Sequence, residues 1–80
     1  MFKMILQAKE WKHEEGCKSA RIVLLGIVRG ELGNRECVDA YEFSTHMQIS
    51  NDQQEPYFAY GHYFGSNIHR ALNDYDAREV

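Results

Sequence analysis

Ala20-Arg21-Ile22-Val23-Leu24-Leu25-Gly26-Ile27-Val28 is the most apolar stretch of the chain. Its β-branched residues and its length favour a strand over a helix. Ile22, Leu24 and Val28 alternate with Val23, Leu25 and Ile27, so both sides of that strand are apolar. Such a strand belongs in the middle of a sheet, with both faces covered. Gly26 marks a bulge or a close approach of backbones.

Working outward, Phe2 to Trp11 alternates loosely. Phe2, Met4, Leu6 and Ala8 form the more apolar side, and Lys3, Gln7 and Lys9 share the other with Ile5 and Trp11. This reads as a first strand, a short helix being the alternative. Lys12–Lys18 is charged and contains Gly16, which suggests a loop. Arg29-Gly30-Glu31-Leu32-Gly33-Asn34 reads as a turn, because glycine and asparagine reach positive φ at low cost. Arg35–Ile49 reads as a long half-buried strand. Cys37, Tyr41, Phe43, Thr45, Met47 and Ile49 share its buried face, and Glu36, Ala40, Glu42, Ser44, His46 and Gln48 its wet one. Ser50–Pro56 is a loop, and Tyr57–Phe64 a last, aromatic strand.

The chain ends in a helix, expected over Ser66–Arg78 with Ser66 as N-cap. Ile68, Ala71, Leu72 and Tyr75 fall on one stripe, and Asn67, Arg70, Asn73, Asp74 and Arg78 lie away from it. The stripe needs a surface to bury against, and the sheet is the only candidate. The expected fold is therefore α+β: an antiparallel meander of three to four strands with one C-terminal helix packed on a face. Leu24, Ile22, Tyr41, Phe43, Ile68, Leu72 and Tyr75 are the expected core. The 80 residues give room for one domain spanning 1–80, and a hydrophobic share of 44% excludes a disordered chain.

Charge narrows the function. The net charge is −3, with six Lys/Arg against three Asp/Glu in residues 1–30 and three against nine in 31–80. An acidic balance disfavours a nucleic-acid binder, which needs cations for phosphates. It suits a partner with a basic surface. No apolar run approaches a membrane span, and no signal-type segment follows the N-terminus. The expected setting is cytoplasmic, with Cys17 and Cys37 as free thiols; a Cys17–Cys37 disulfide is the alternative.

No arrangement points to catalysis or metal binding. His13 and Cys17 lie four apart and His62 and His69 seven apart, without the tight paired spacing of zinc ligands. Cys37, Asp39, Glu42, His46 and His62 are the groups with catalytic chemistry. Glu42 and His46, however, would sit about 13 Å apart along one strand. The expectation is no enzyme, no metal and no cofactor. Residues 57–64 hold Tyr57, Phe58, Tyr60, Tyr63 and Phe64 but no Lys or Arg, unlike an RNA-stacking strand. Tyrosine is also the residue of choice at protein interfaces.

Tyr60-Gly61-His62-Tyr63-Phe64, followed by Ala71-Leu72-x-x-Tyr75-x-x-Arg78, looks like the ending of many short phage and prophage accessory proteins. In size, acidity and sheet-plus-helix order the whole chain resembles the small phage-encoded anti-CRISPR proteins. That resemblance is one of format and brings no signature residue with it. It implies an inhibitor, working in the host cell cytoplasm, that covers a nucleic-acid-binding surface of a host defence complex.

The reading is thus a non-enzymatic protein-binding module, monomeric or homodimeric. Its expected contact residues are Glu36 and Glu42 on the long strand, Asp52 and Glu55 in the loop, Tyr60, and Asp74 and Asp76 on the helix. The last two oppose the helix dipole, so their reversal to lysine is expected to leave the fold intact. The competing classes are a nucleic-acid binder using the basic N-terminal half and a small His/Cys-dependent enzymatic domain.

Overall fold

The computed structural model describes residues 2–14, 18–28, 41–51 and 53–80. Five strands and one helix follow in order: β1 Phe2–Ala8, β2 Lys12–Glu14, β3 Lys18–Val28, β4 Tyr41–Asn51, β5 Gln54–Tyr63 and α1 Ile68–Ala77. They form one antiparallel sheet in the order β1-β3-β4-β5, with β2 also pairing β3. No helix among the described residues is long and apolar enough to cross a membrane.

The stretch expected to be central is central. Ile22, Val23, Leu24 and Leu25 are all essentially inaccessible, so both faces of β3 are covered. β3 pairs with β4 from Ser19↔Ser50 to Val28↔Tyr41 without a break.

β1 and β2 run along the other side of β3 as one interrupted edge. Where a break falls at Lys9–Trp11, the Lys9 amide still donates to the Ile22 carbonyl at 2.9 Å. The charged segment Lys12–Glu14, expected in a loop, is therefore strand; pairing with Lys18–Ala20 outweighs its polarity. The register slips between Ile5 and Gln7, which puts Leu6 in a bulge. Gly26 accommodates it: a Cβ there would stand 3.0 Å from Leu6 Cδ1.

Two further expectations are corrected. The loop placed at Ser50–Pro56 shrinks to a tight connection, since β4 reaches Asn51 and β5 begins at Gln54. Pro56 is tolerated because β5 is an edge strand and its register slips there. The wet face of β4 is not wet: Ser44, His46 and Gln48 are 1%, 6% and 8% exposed. These side chains are short or partnered, and polarity alone does not decide exposure. Gln48 Oε1 accepts from Arg21 Nε at 2.7 Å, and that guanidinium lies 4.5 Å over the Trp11 ring.

Gly65, at φ +55°, turns the chain into the helix, and its carbonyl accepts the Phe43 amide at 2.7 Å. The N-cap is Asn67 rather than Ser66. Its Oδ1 accepts the Arg70 amide at 3.1 Å, the N3 position of the cap. Ala71 and Tyr75 are buried in one cluster with Ile22, Leu24 and Phe43. Tyr41, Ile68 and Leu72, expected in the core, are only partly buried against that cluster.

The helix has no basic residue in its last turn. Lys9 supplies the missing cation from the end of β1. Its Nζ donates to the carbonyls of Asp76 at 3.1 Å and Arg78 at 2.5 Å and lies 5.2 Å over the Tyr75 ring. A cation at that end satisfies orphan carbonyls and favours the helix dipole.

Candidate functional site: the aromatic edge and its polar anchor

β5 is an outer strand that carries most of the exposed aromatic surface. Tyr57, Phe58, Tyr60 and Tyr63 are 42%, 36%, 70% and 73% exposed. The alternation of the strand breaks in its middle. Thr45 pairs His62 and Met47 pairs Ala59, so His46 alone faces Tyr60 and Gly61 together. This is a bulge, and Tyr60 stands in it at φ +53°. Among the described non-glycine residues it alone has positive φ. For a bulky side chain that is an outlier, held only where its surroundings force it.

The force comes from both faces of the sheet. On the helix side Arg78 reaches across and donates from Nη2 to the Tyr60 carbonyl at 2.8 Å. Its Nη1 donates to the Thr45 carbonyl at 3.1 Å and to Thr45 Oγ1 at 3.0 Å. The Thr45 hydroxyl in turn donates to Asp74 Oδ2 at 2.5 Å, and His62 Nδ1 lies 2.9 Å from the same oxygen. A carboxylate only accepts, so His62 carries its proton on Nδ1. Burial pushes the Asp74 carboxyl up, but the hydrogen bonds from Thr45 and His62 and the charges of His62 and Arg78 outweigh it. The group lies below its ordinary value of 3.8.

On the opposite face His46 backs the bulge. Its ring meets Tyr63 edge-on at 5.4 Å and Phe58 at 5.9 Å, and Nε2 lies 3.3 Å from the Tyr63 hydroxyl. Lys3 of β1 lies 5.9 Å over Phe58. Gly61 is required by space rather than by φ: a Cβ there would stand 2.5 Å from His46 Nε2 and 2.8 Å from the Tyr63 hydroxyl oxygen. His46 Nδ1 and Ser44 Oγ are buried without a hydrogen-bond partner among the described residues. Burial first, then the charges of Lys3, Arg78 and His62, hold His46 below the usual histidine value of 6.5.

The expected contact residues scatter. Tyr60 is central to this edge. Glu55 is exposed near the start of β5, and Asp76 is exposed on the helix. Glu42 is half-buried on β4. Glu36 and Asp52 lie outside the described residues, as do Cys17 and Cys37. For Asp74 the expectation that reversal to lysine leaves the fold intact is corrected: it ties the helix to Thr45 and His62, and reversal would break that network.

His62, His46, Thr45 and Arg78 were missed as a group because they come from β4, β5 and the end of the helix. Only the Tyr-Gly pair at 60–61 hinted at a bulge. The His62–Asp74 pair orients an imidazole that is half exposed, as a proton-transfer group would be. The Thr45 hydroxyl donates to the carboxylate and not to the imidazole, so the three do not form a nucleophile relay. No group of three or more metal-ligating side chains occurs among the described residues.

No protein-family model matches the chain, and neither a curated protein nor a solved structure does.

Proposed function

We propose that the chain is a non-enzymatic protein-binding module whose contact surface is the aromatic edge of β5. The observation that carries this is Tyr60. A bulky ring is held at φ +53° and left 70% exposed, with its carbonyl pinned by Arg78. Strain of this kind persists where the surroundings over-determine it and clusters at functional positions. Large amphipathic rings that lose little rotamer freedom are the usual anchors of interfaces. Tyr57, Phe58 and Tyr63 extend the surface along the same strand.

A sharper reading is an inhibitor that occupies a basic, nucleic-acid-handling surface in the cytoplasm of a host cell. It is supported by the acidic balance of the chain and the resemblance of format. Exposed Glu55 and Asp76 would then steer association around the aromatic contact.

The test is affinity capture from host lysate with tagged wild-type protein, beside Tyr60→Gly and Tyr63→Ser. One partner is expected at stoichiometric yield with wild type and a tenfold or greater loss with each variant. Equal capture by all three proteins moves the contact away from β5. Loss on Asp76→Lys alone would leave the acidic reading without its aromatic anchor.

A further inference from the structure

We propose that His46 is a proton-operated latch on the β5 bulge: neutral, it holds Tyr63 and the Tyr60–Gly61 pair in place, and on taking up a proton it releases them. The latch is built from geometry. The imidazole is 6% exposed and packed edge-on against Phe58 and Tyr63. One nitrogen reaches the Tyr63 hydroxyl and the other, Nδ1, has no hydrogen-bond partner among the described residues. A neutral ring tolerates one orphan nitrogen. An imidazolium has an N–H on both nitrogens, and the second would be a buried charged donor without an acceptor.

Among the described residues the groups around it supply no acceptor. β1 contributes Lys3, β5 contributes His62 and Tyr63, and the segment after the helix contributes Arg78. The nearest carboxylate in the network, Asp74, is engaged by His62 and Thr45 on the other side of the sheet. On β3 the residue paired with His46 is Val23, and Arg21 is committed to Gln48. On β4 itself, Glu42 lies four residues away beyond Ser44, whose Oγ has no hydrogen-bond partner among the described residues. The charged ring must therefore move outward to reach water. Gly61 leaves it no slack, because the ring fills the space a Cβ would take. Outward motion pushes on Tyr63 and on the bulge that displays Tyr60.

The direction follows from burial. The folded state prefers the neutral ring, so the latch is closed at neutral pH and opens as pH falls through the folded value of His46, which lies below the ordinary 6.5. The consequence for binding rests on the reading of β5 as the contact surface; the conformational step does not.

The experiment is an NMR titration of the full chain from pH 7.5 to 4.5, following the four imidazoles and the amides of Tyr60, Gly61, His62 and Tyr63. His46 is expected to titrate below the ordinary histidine value of 6.5. The β5 amides should shift or broaden with the His46 midpoint, and that response should vanish in His46→Leu. Two results overturn the latch: His46 titrating at or above 6.5, or β5 amides unmoved while His46 takes up its proton. Both are read on wild-type protein, so the test survives a variant that fails to fold. A captured partner, if one is found, is then compared at pH 7.5 and 5.5. A working latch with binding indifferent to Tyr60→Gly would refute β5 as the contact surface and leave the latch standing.

Discussion

At Tyr60 and Gly61 the usual roles of the two residue types are exchanged. Tyrosine takes the positive φ that favours glycine, and glycine stands where space alone forbids a side chain. Each makes a prediction of opposite sign. Gly61→Ala must push His46 or the Tyr63 hydroxyl aside, and overpacking of this kind costs about 1–3 kcal/mol. Its denaturant midpoint should fall while the m-value stays constant. Reversal of the helix acids separates in the same way. Asp76→Lys should be nearly silent, within about 0.5 kcal/mol, as at most surface positions. Asp74→Lys should destabilise clearly, because it removes the acceptor of Thr45 and His62 and places a cation beside Arg78. Equal effects of the two reversals, read by thermal melting, would mean that the Asp74 network does not hold in solution. In sequence, Asp74 and Asp76 look alike, since both are acidic residues near the end of a helix. Only Thr45 and His62, far away in the chain, tell them apart.

Among the elements, the sheet was largely legible and its edges were not. The apolar run at 20–28 announces a central strand because burial on both faces leaves no room for polar alternation. The bulges at Leu6 and at Tyr60–Gly61 shift the alternation by one residue, which no period-two reading follows. Ser44, His46 and Gln48 alternate with apolar residues as a wet face would, yet they are buried, because polarity alone does not decide exposure. The helix stripe and its stop are legible, the helix ending at Ala77 with Arg78 as C-cap, but the cation at that end is not, because it comes from Lys9 at the other end of the chain. Lys9→Met keeps the aliphatic stem and removes the donor. It should lower stability by about 0.5–2 kcal/mol. The loss should be confined to α1, seen as faster amide exchange there and unchanged protection in β3. Unchanged exchange in α1 would show that the helix end needs no cation from β1. Leu72 is only partly buried, so Leu72→Ala should cost less than the 3–5 kcal/mol typical of truncating a large buried aromatic, as in Tyr75→Ala.

For the whole molecule, two of the described groups, His46 and Asp74, lie below their ordinary values and respond to acid. His46 lies below its ordinary value, so its contribution is complete above about pH 6.5 and is lost as pH falls through its folded value. Asp74 also lies below its ordinary value, so its contribution is complete above pH 3.8 and is lost on further acidification. Stability should therefore fall in two stages, and His46→Leu should remove the first stage alone. A single stage near pH 4 in wild-type protein would contradict the neutral, buried state of His46. The proposed contact role of β5 requires that Tyr60 be held in strain for display and not for the fold. The most direct measurement is the unfolding free energy of Tyr60→Gly. Glycine accepts φ +53° freely, so relief of strain worth roughly 1–2 kcal/mol should leave the variant as stable as wild type or more so. A clear loss of stability would show that the tyrosine ring serves the fold, and would contradict the account.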